Sequence, residues 1–444
     1  MALKTEGIAK KRLSTAEYAE NFADLHPPLS PHEALVESDR CYFCHDAPCL
    51  QACPTCIDIP MFIRQISTGQ PENAAKTIFD QNILGGMCAR VCPTETLCEE
   101  VCVRQTAEGK PVKIGRLQRY ATDVLIAKKT HPYRRAKASG KKIAVVGAGP
   151  AGLACAHRLS MHGHDVTIFE ARKKAGGLSE FGIAAYKTVD DFAAREVEFI
   201  LSIGGITIEN GKAFGKNLKL ADLLNNFDAV FLGMGLQGVN ALGTKNEDAD
   251  GMKDAVHYIS ELRQARDLGK LPVGRRVLVI GGGMTAIDIA IQSKLLGAED
   301  VTILYRRGPM HMKASDYEQE LAQTRGVKIM YWVQPKKVLT RNGRAVGLAC
   351  EHMRDVKGKL LPTGESEDFA ADMIFKAIGQ SAIDVAGGAL ALHDGRIKVD
   401  DEKRTSVKGI WAGGDCIAGG KDLTVSAVDD GRRAAESIHA FLLA

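Results

Sequence analysis

Between Cys41 and Gln118 the chain spaces its cysteines in a way that packing alone does not require. The first run is Cys41-x2-Cys44-x4-Cys49-x3-Cys53-Pro54, and the second is Cys88-x3-Cys92-Pro93-x4-Cys98-x3-Cys102. These two runs hold eight of the twelve cysteines, with Cys56 lying in the same region. Three chemistries use thiols this dense. Disulfides need an oxidising compartment, whereas the charged opening MALKTEGIAKKRLSTAEYAE lacks the apolar core of an export signal, so the expected location is cytoplasmic. Zinc favours Cys-x-x-Cys pairs separated by a loop. Short runs with proline after the last cysteine are a way of wrapping iron–sulfur cubes, and one cysteine of a run commonly serves the other run's cluster. Iron–sulfur ligation is therefore the expectation, with zinc and disulfides as the alternatives.

A chain of 444 residues is too long for one ordinary core, so two or three domains are expected. The 58 basic and 54 acidic residues nearly balance, and no basic–aromatic interleaving suggests nucleic acid. No apolar run reaches membrane-spanning length. Residues 1–40 read as helical and solvent-facing, broken by Pro27, Pro28 and Pro31. From Ile57 to Gly86 the pattern is helical, with Ile59, Phe62, Ile63 and Ile66 on one face and Ala74, Ala75, Ile78 and Phe79 repeating it. Gly85-Gly86 is expected to end that helix and deliver Cys88. Another helix starts near Ile114, and the basic stretch at 131–141 reads as a linker.

The texture then changes. Lys142-Ile-Ala-Val-Val-Gly147-Ala-Gly149-Pro150-Ala151-Gly152 reads as a buried strand, a glycine turn and a helix start, the arrangement that lays backbone amides against a pyrophosphate. Its second strand ends in Glu170, where a ribose hydroxyl is expected, and Gly176-Gly177-Leu178 offers a second backbone approach. The alternative is a glycine turn that merely packs. A second copy, Gly281-Gly282-Gly283-Met284-Thr285, has a following strand that ends in Arg306-Arg307 instead of an acid. Guanidinium forks there favour a 2′-phosphate, with Lys313 as a further contact, although a solvated charge pair would look the same. The first turn is thus expected to take FAD and the second NADPH, with NADH possible. Ala377-Ile378-Gly379 reads as the crossover out of the nicotinamide domain, and Gly414-Asp415 with Thr424 as the return to the flavin. Cys155, Cys350 and Cys416 read as plain buried residues.

With these motifs laid out, the sequence from about residue 35 onward resembles the small-chain glutamate synthase family, and within it the dihydropyrimidine dehydrogenase branch. The carrying residues are Cys-x-x-Cys-His-Asp-Ala-Pro-Cys at 41–49, Cys-Ala-Arg-Val-Cys-Pro-Thr at 88–94 and Ile-Gly-Arg-Leu-Gln at 114–118. The resemblance implies an α/β architecture: an α-helical double-cluster domain (1–130), then two Rossmann-like domains. An FAD domain (142–262 and 380–444) is interrupted by an NAD(P)H domain (263–379). It further implies one 4Fe–4S cluster on Cys41, Cys44, Cys49 and Cys102. A second would sit on Cys53, Cys92, Cys98 and the amide oxygen of Gln118, the alternative for Gln118 being a helix-surface residue. Relatives carry Gly-Ile-Pro-x-Phe/Tyr-Arg near the flavin, where this chain has Gly182-Ile-Ala-Ala-Tyr186-Lys187. Lys187 keeps the charge and loses the fork, and is expected to contact the flavin.

The implied activity is hydride transfer from NAD(P)H to FAD, followed by single-electron relay through the clusters. No catalytic triad, paired catalytic carboxylates or redox Cys-x-x-Cys lies in the flavin domain, and no residues remain for an FMN barrel. The expected partner is an FMN- and iron–sulfur-containing dihydropyrimidine dehydrogenase subunit, in a heterotetramer, with Gln118's cluster toward the interface. The small subunit of NADPH glutamate synthase, an electron-bifurcating transhydrogenase subunit and a non-enzymatic scaffold are the competing readings.

Overall fold

The computed structural model describes residues 5–382 and 387–444; residues 383–386, in the predicted return to the flavin domain, lie outside the described residues. The chain forms two compact units. One takes the chain up to Leu25, Phe181–Val189 and Val239–Gln380; the other takes His26–Glu180, Asp190–Gly238 and Ser381–Ala444.

In the second of these, short helices surround the cysteines. Ile59–Ser67 buries Ile59, Phe62, Ile63 and Ile66, the spacing of a single helical face, and Asp58 caps it by accepting the Met61 N–H at 3.1 Å. Pro71–Gln81 buries Ala74, Ala75, Ile78 and Phe79. These are two helices, parted at Thr68–Gln70. Gly85 and Gly86 begin a new helix, Gly85–Val91, where the sequence suggested an end. The reason is space: a Cβ on Gly85 would fall 2.5 Å from Ile78 Cγ2, and one on Gly86 2.6 Å from Phe192 Cζ.

A five-stranded parallel sheet follows, in the order Ile410–Ala412, Ala229–Leu232, Lys142–Val146, Asp165–Glu170, Ile206–Asn210. Ile143, Ala144 and Val145 are wholly buried, as a central parallel strand covered on both faces requires. One hydrophobic core runs from Ile63, Ile78 and Cys88 among the short helices to Val145, Phe199 and Trp411 of the nucleotide fold.

The other unit repeats the plan: a parallel sheet ordered Val327–Tyr331, Asp300–Tyr305, Arg276–Ile280, Met373–Lys376, Met252–Asp254. A three-stranded antiparallel sheet, Val333–Arg341, Arg344–Val356 and Lys359–Ala370, enters between its strands in the chain. The N-terminal segment also belongs here. Ile8–Ala9 pairs antiparallel with Val273–Gly274, and Tyr18 and Phe22 are buried in this unit's core. The expectation of a solvent-facing helical start therefore holds only for the outer faces of its helices, Thr15–Asn21 and Pro31–Ser38, which bury Tyr18 and Ala34 on their inner sides.

Candidate functional site

Cys41, Cys44, Cys49 and Cys102 line one pocket, whose remaining wall includes Ile59, Ile63, Val112 and Ile114. Cys49 enters on the helix Pro48–Ala52, and Cys102 stands at the start of Val103–Glu108. Phe43, at φ +51, donates its N–H to Cys41 Sγ at 3.4 Å. Burial, then the neighbouring Cys41 and Cys102, push the Cys49 thiol up to about 12. Burial raises Cys41 in the same way, opposed by the Phe43 amide. Burial in this apolar wall disfavours ionisation of Cys41 and Cys49. The four thiols suit a group that brings its own positive charge, because coordinated thiols are held as thiolates. The donor set therefore fits a cluster. All twelve cysteines are free thiols, and among the described residues no three His, Cys, Asp or Glu side chains are grouped to hold a single metal ion.

Cys53, Cys92 and Cys98 form a second group. A hydrogen bond from its thiol to Cys88, then burial, raise Cys92, with Cys98 and Cys53 adding to the effect. Burial, then Glu99 and Cys53, raise Cys98. Cys53 Sγ lies 3.3 Å from Thr55 Oγ1. Gln118 is a buried residue of the helix Ile114–Ala127, and its Nε2 donates to the Gly85 carbonyl at 2.7 Å. It is not a helix-surface glutamine.

The first glycine turn is a cradle in which side chains have no room. Gly147 adopts φ +98, and a Cβ there would lie 2.5 Å from the Gly233 carbonyl oxygen. A Cβ on Gly152 would lie 1.9 Å from the Gly147 oxygen. A Cβ on Gly177, at φ +55, would lie 2.6 Å from Gly149 Cα, and Gly176 sits beside it at φ +118. The helix Pro150–Met161, which opens with Pro150 and Ala151, has Gly149 before it and no side-chain cap, so its first amides are open to an anion. Glu170, at the end of the second strand, accepts the N–H groups of Ala148 and Arg172, each at 2.8 Å. It stiffens the turn besides standing where a ribose is expected. Leu178 begins a short helix and is half-buried.

The return segment closes on this cradle. Helix Thr424–Leu443 passes Gly431, where a Cβ would lie 2.1 Å from the Ala151 oxygen, so the two helices meet backbone to backbone. Gly414 donates its N–H to Asp430 Oδ2 at 2.9 Å, and Lys403 pairs with the same carboxylate at 2.6 Å. Burial, then Asp422, push Asp415 up to about 6. The glycine cradle, uncapped helix and buried acid fit FAD.

The nicotinamide-side turn is built alike. A Cβ on Gly281 (φ +142) would lie 2.2 Å from the Ala377 oxygen, so the crossover Ala377-Ile378-Gly379 presses on the turn. Asn240, which the sequence reading missed, pins that crossover by donating Nδ2 to the Ile378 oxygen at 3.1 Å. Gly282 has the Tyr305 ring where a Cβ would go, and its carbonyl accepts the Lys313 and Ala314 amides. Gly283 faces open space ahead of the uncapped helix Met284–Leu295, whose first residues are Met284 and Thr285. Arg306, Arg307 and Lys313 are exposed. Among the described residues none of the three is in an ion pair with an acid. Three cations left to solvent beside an uncapped helix suit an added phosphate.

Lys187 is placed differently from the expectation. Its Nζ lies 2.8 Å from Asp288 Oδ1 and 2.7 Å from Glu318 Oε1, and Tyr186 donates its hydroxyl to the same Asp288 oxygen at 3.1 Å. All four side chains belong to the unit of the second turn. Its charge is committed to two buried carboxylates, so it serves packing there. Asp288 was a readable signal, being an acid inside the otherwise apolar run 286–291.

Residues 141–431 match the pyridine nucleotide-disulphide oxidoreductase family, and residues 18–130 match dihydropyrimidine dehydrogenase domain II, 4Fe-4S cluster. The small chain of NADPH glutamate synthase from Escherichia coli K12 is 34% identical over 94% of this chain and 93% of its own length. The NAD-dependent dihydropyrimidine dehydrogenase subunit PreT of Salmonella typhimurium is 36% identical over 95% of this chain and 98% of its own. Thioredoxin reductase from T. acidophilum shares the fold over 68% of this chain and all of its own, with TM-score 0.54 and 21% identity. No helix among the described residues is long and apolar enough to cross a membrane. The chain belongs to the pyridine nucleotide-disulphide oxidoreductase family, in the flavin iron–sulfur form that uses FAD, NAD(P)H and 4Fe–4S chemistry.

Proposed function

We propose that this protein is the electron-input subunit of a cytoplasmic dihydropyrimidine dehydrogenase. In this reading it oxidises NADPH and delivers electrons to a partner that carries FMN and further clusters and reduces uracil or thymine, the two forming a heterotetramer. The observation that carries the reading is the shared core: both thiol groups and the flavin-type turn lie in one compact unit, on one continuous hydrophobic core. A flavin held at that turn and clusters held by the two thiol groups would stand in one folded unit.

When bound, FAD accepts a hydride and the clusters carry single electrons. The residues of the chain position them. Gly147, Gly149 and Gly152 admit the pyrophosphate, Glu170 holds the turn, and Asp415, with Gly414 pinned to Asp430, stands at the ribityl side. Arg306, Arg307 and Lys313 select the 2′-phosphate, in contrast with the NAD-dependent relative. Cys41, Cys44, Cys49 and Cys102 hold one cluster; Cys53, Cys92, Cys98 and the Gln118 oxygen hold the other. With its nitrogen bonded to Gly85, the Gln118 amide presents its oxygen.

A second reading, the small subunit of NADPH glutamate synthase or of an electron-bifurcating transhydrogenase, draws on the nearly equal similarity to the glutamate synthase small chain. Capture of the complex on this tagged chain under anaerobic conditions separates the two. Oxidation of NADPH that depends on uracil or thymine supports the first. Oxidation that depends on glutamine plus 2-oxoglutarate, with no pyrimidine response, moves the chain to the second.

A further inference from the structure

The buried carboxyl of Glu196, 2% exposed, is used by neither nucleotide turn. It lies on the helix Phe192–Leu201 and reaches the start of Gly85–Val91, the helix that leads into Cys92. Its Oε1 accepts the Met87 N–H at 2.9 Å, and the Gly86 N–H is a second donor. A Cβ on Gly86 would lie 2.8 Å from that same oxygen, so only glycine allows the approach. The peptide group whose N–H faces Glu196 is the one whose carbonyl, that of Gly85, accepts Gln118 Nε2 at 2.7 Å. One peptide unit therefore separates the Glu196 carboxyl from the Gln118 amide.

We infer that Glu196 is a positioning residue for the cluster served by Gln118, acting through the Gly85–Gly86 peptide group to orient and polarise the Gln118 amide. This rests on the reading that the Gln118 oxygen ligates that cluster. Hydrogen bonds in series strengthen one another in a low-dielectric interior. An ionised Glu196 draws on the Gly86 N–H, which enriches the Gly85 oxygen. That oxygen draws on the Gln118 N–H, which makes the Gln118 oxygen a stronger donor to iron and favours the oxidised cluster. Protonated Glu196 relaxes the chain.

The surroundings make this exchange accessible near neutral pH. Burial pushes the carboxyl up to about 8, opposed by the two amides and by Arg90, with Asp123 raising it further. Arg90 is itself held by Asp123, with both carboxylate oxygens 2.8 Å away, and stacks on Phe192 at 3.4 Å. Arg119 of the helix Ile114–Ala127 pairs with Asp123, and Arg195 of the carboxyl's own helix lies over Phe192. Reduction adds negative charge to the cluster and so favours the protonated acid, the proton coming from solvent.

The test is film voltammetry of the full cluster-loaded chain between pH 6.5 and 9. The wild type, Glu196→Gln and Gln118→Cys are compared, with iron content measured for each. In the wild type the potential of one cluster falls as pH rises through about 8, lowering its reduced-to-oxidised ratio about tenfold at fixed potential, which corresponds to about 59 mV for one electron. Glu196→Gln mimics the protonated acid and holds that cluster at its acid-side value with less than a twofold change. A wild-type wave that does not move with pH overturns the inference even without the variant. So does a Glu196→Gln protein that follows the wild-type profile. Gln118→Cys identifies the wave: if it leaves both clusters unchanged, the ligand reading itself has failed, whatever Glu196 does.

Discussion

The two glycine turns share a backbone and differ at the end of the next strand. At the first, Gly147 is pressed by the Gly233 carbonyl, and Glu170 turns inward to bind two backbone amides. At the second, Gly281 is pressed by the Ala377 carbonyl, and Arg306 and Arg307 stand exposed. On the reading proposed above, the cradle takes a dinucleotide and the strand end selects which one. The first turn is closed by the protein's own hydrogen bonds, whereas the basic strand end of the second is exposed.

Substitutions can break this comparison in order of size. The largest effect is expected at Lys187→Ala, which strands Asp288 and Glu318 in the interior. Breaking a buried ion pair costs roughly 3–5 kcal/mol, so thermal unfolding of the nicotinamide unit moves sharply down, while flavin content in the surviving folded protein stays near one. Gly152→Ala is next. It drives a Cβ into the Gly147 carbonyl, costs about 3 kcal/mol by overpacking, and releases FAD, as read by absorbance after gel filtration. Its counterpart at the open turn, Gly283→Ala, meets nothing within 4 Å and leaves the melting temperature unchanged or slightly raised. Equal damage at both positions would remove the distinction between a closed and an open turn.

Arg306→Ala with Arg307→Ala sharpens the comparison without touching the fold. Lost charge-assisted hydrogen bonds are each worth about 1.5–3 kcal/mol, so KM for NADPH rises at least tenfold while KM for NADH stays within twofold. The smallest effect concerns acid. In the flavin unit, His164 Nε2 lies 2.9 Å from His439 Nδ1, and its Nδ1 lies 2.7 Å from Ser139 Oγ. Burial, then His439, lower His164 to about 4, and burial lowers His439 as well. A histidine whose folded pKa lies below its unfolded value contributes stability above the unfolded value, about 6.5, and loses it as pH falls toward the folded one. The flavin unit should therefore lose stability between about pH 6.5 and 4, and His439→Gln should flatten that part of the profile in thermal scans.

How much of this could be read from the sequence follows from how local each requirement is. The glycine turns were legible because a positive φ, or a carbonyl where a Cβ would be, is a demand that one residue type meets. The cysteine runs were legible for the same reason. The ion pairs of Lys187 were not legible because its partner Asp288 lies on a distant helix and Glu318 lies 131 residues further along the chain. Gly85-Gly86 looked like a helix end, since glycine usually marks one; here it answers crowding by Ile78 and Phe192, which only the fold reveals. The first strand and Tyr18 joined the nicotinamide unit for a similar reason, as pairing with Val273–Gly274 leaves no trace in local pattern.

The most direct measurement is anaerobic reduction of the bound flavin by NADPH and by NADH in the wild-type protein, followed as bleaching of its visible absorbance. NADPH is expected to reach half-maximal rate at a concentration at least tenfold lower than NADH. Equal response to the two, or a preference for NADH, would contradict the claim that the open strand end of the second turn selects the 2′-phosphate.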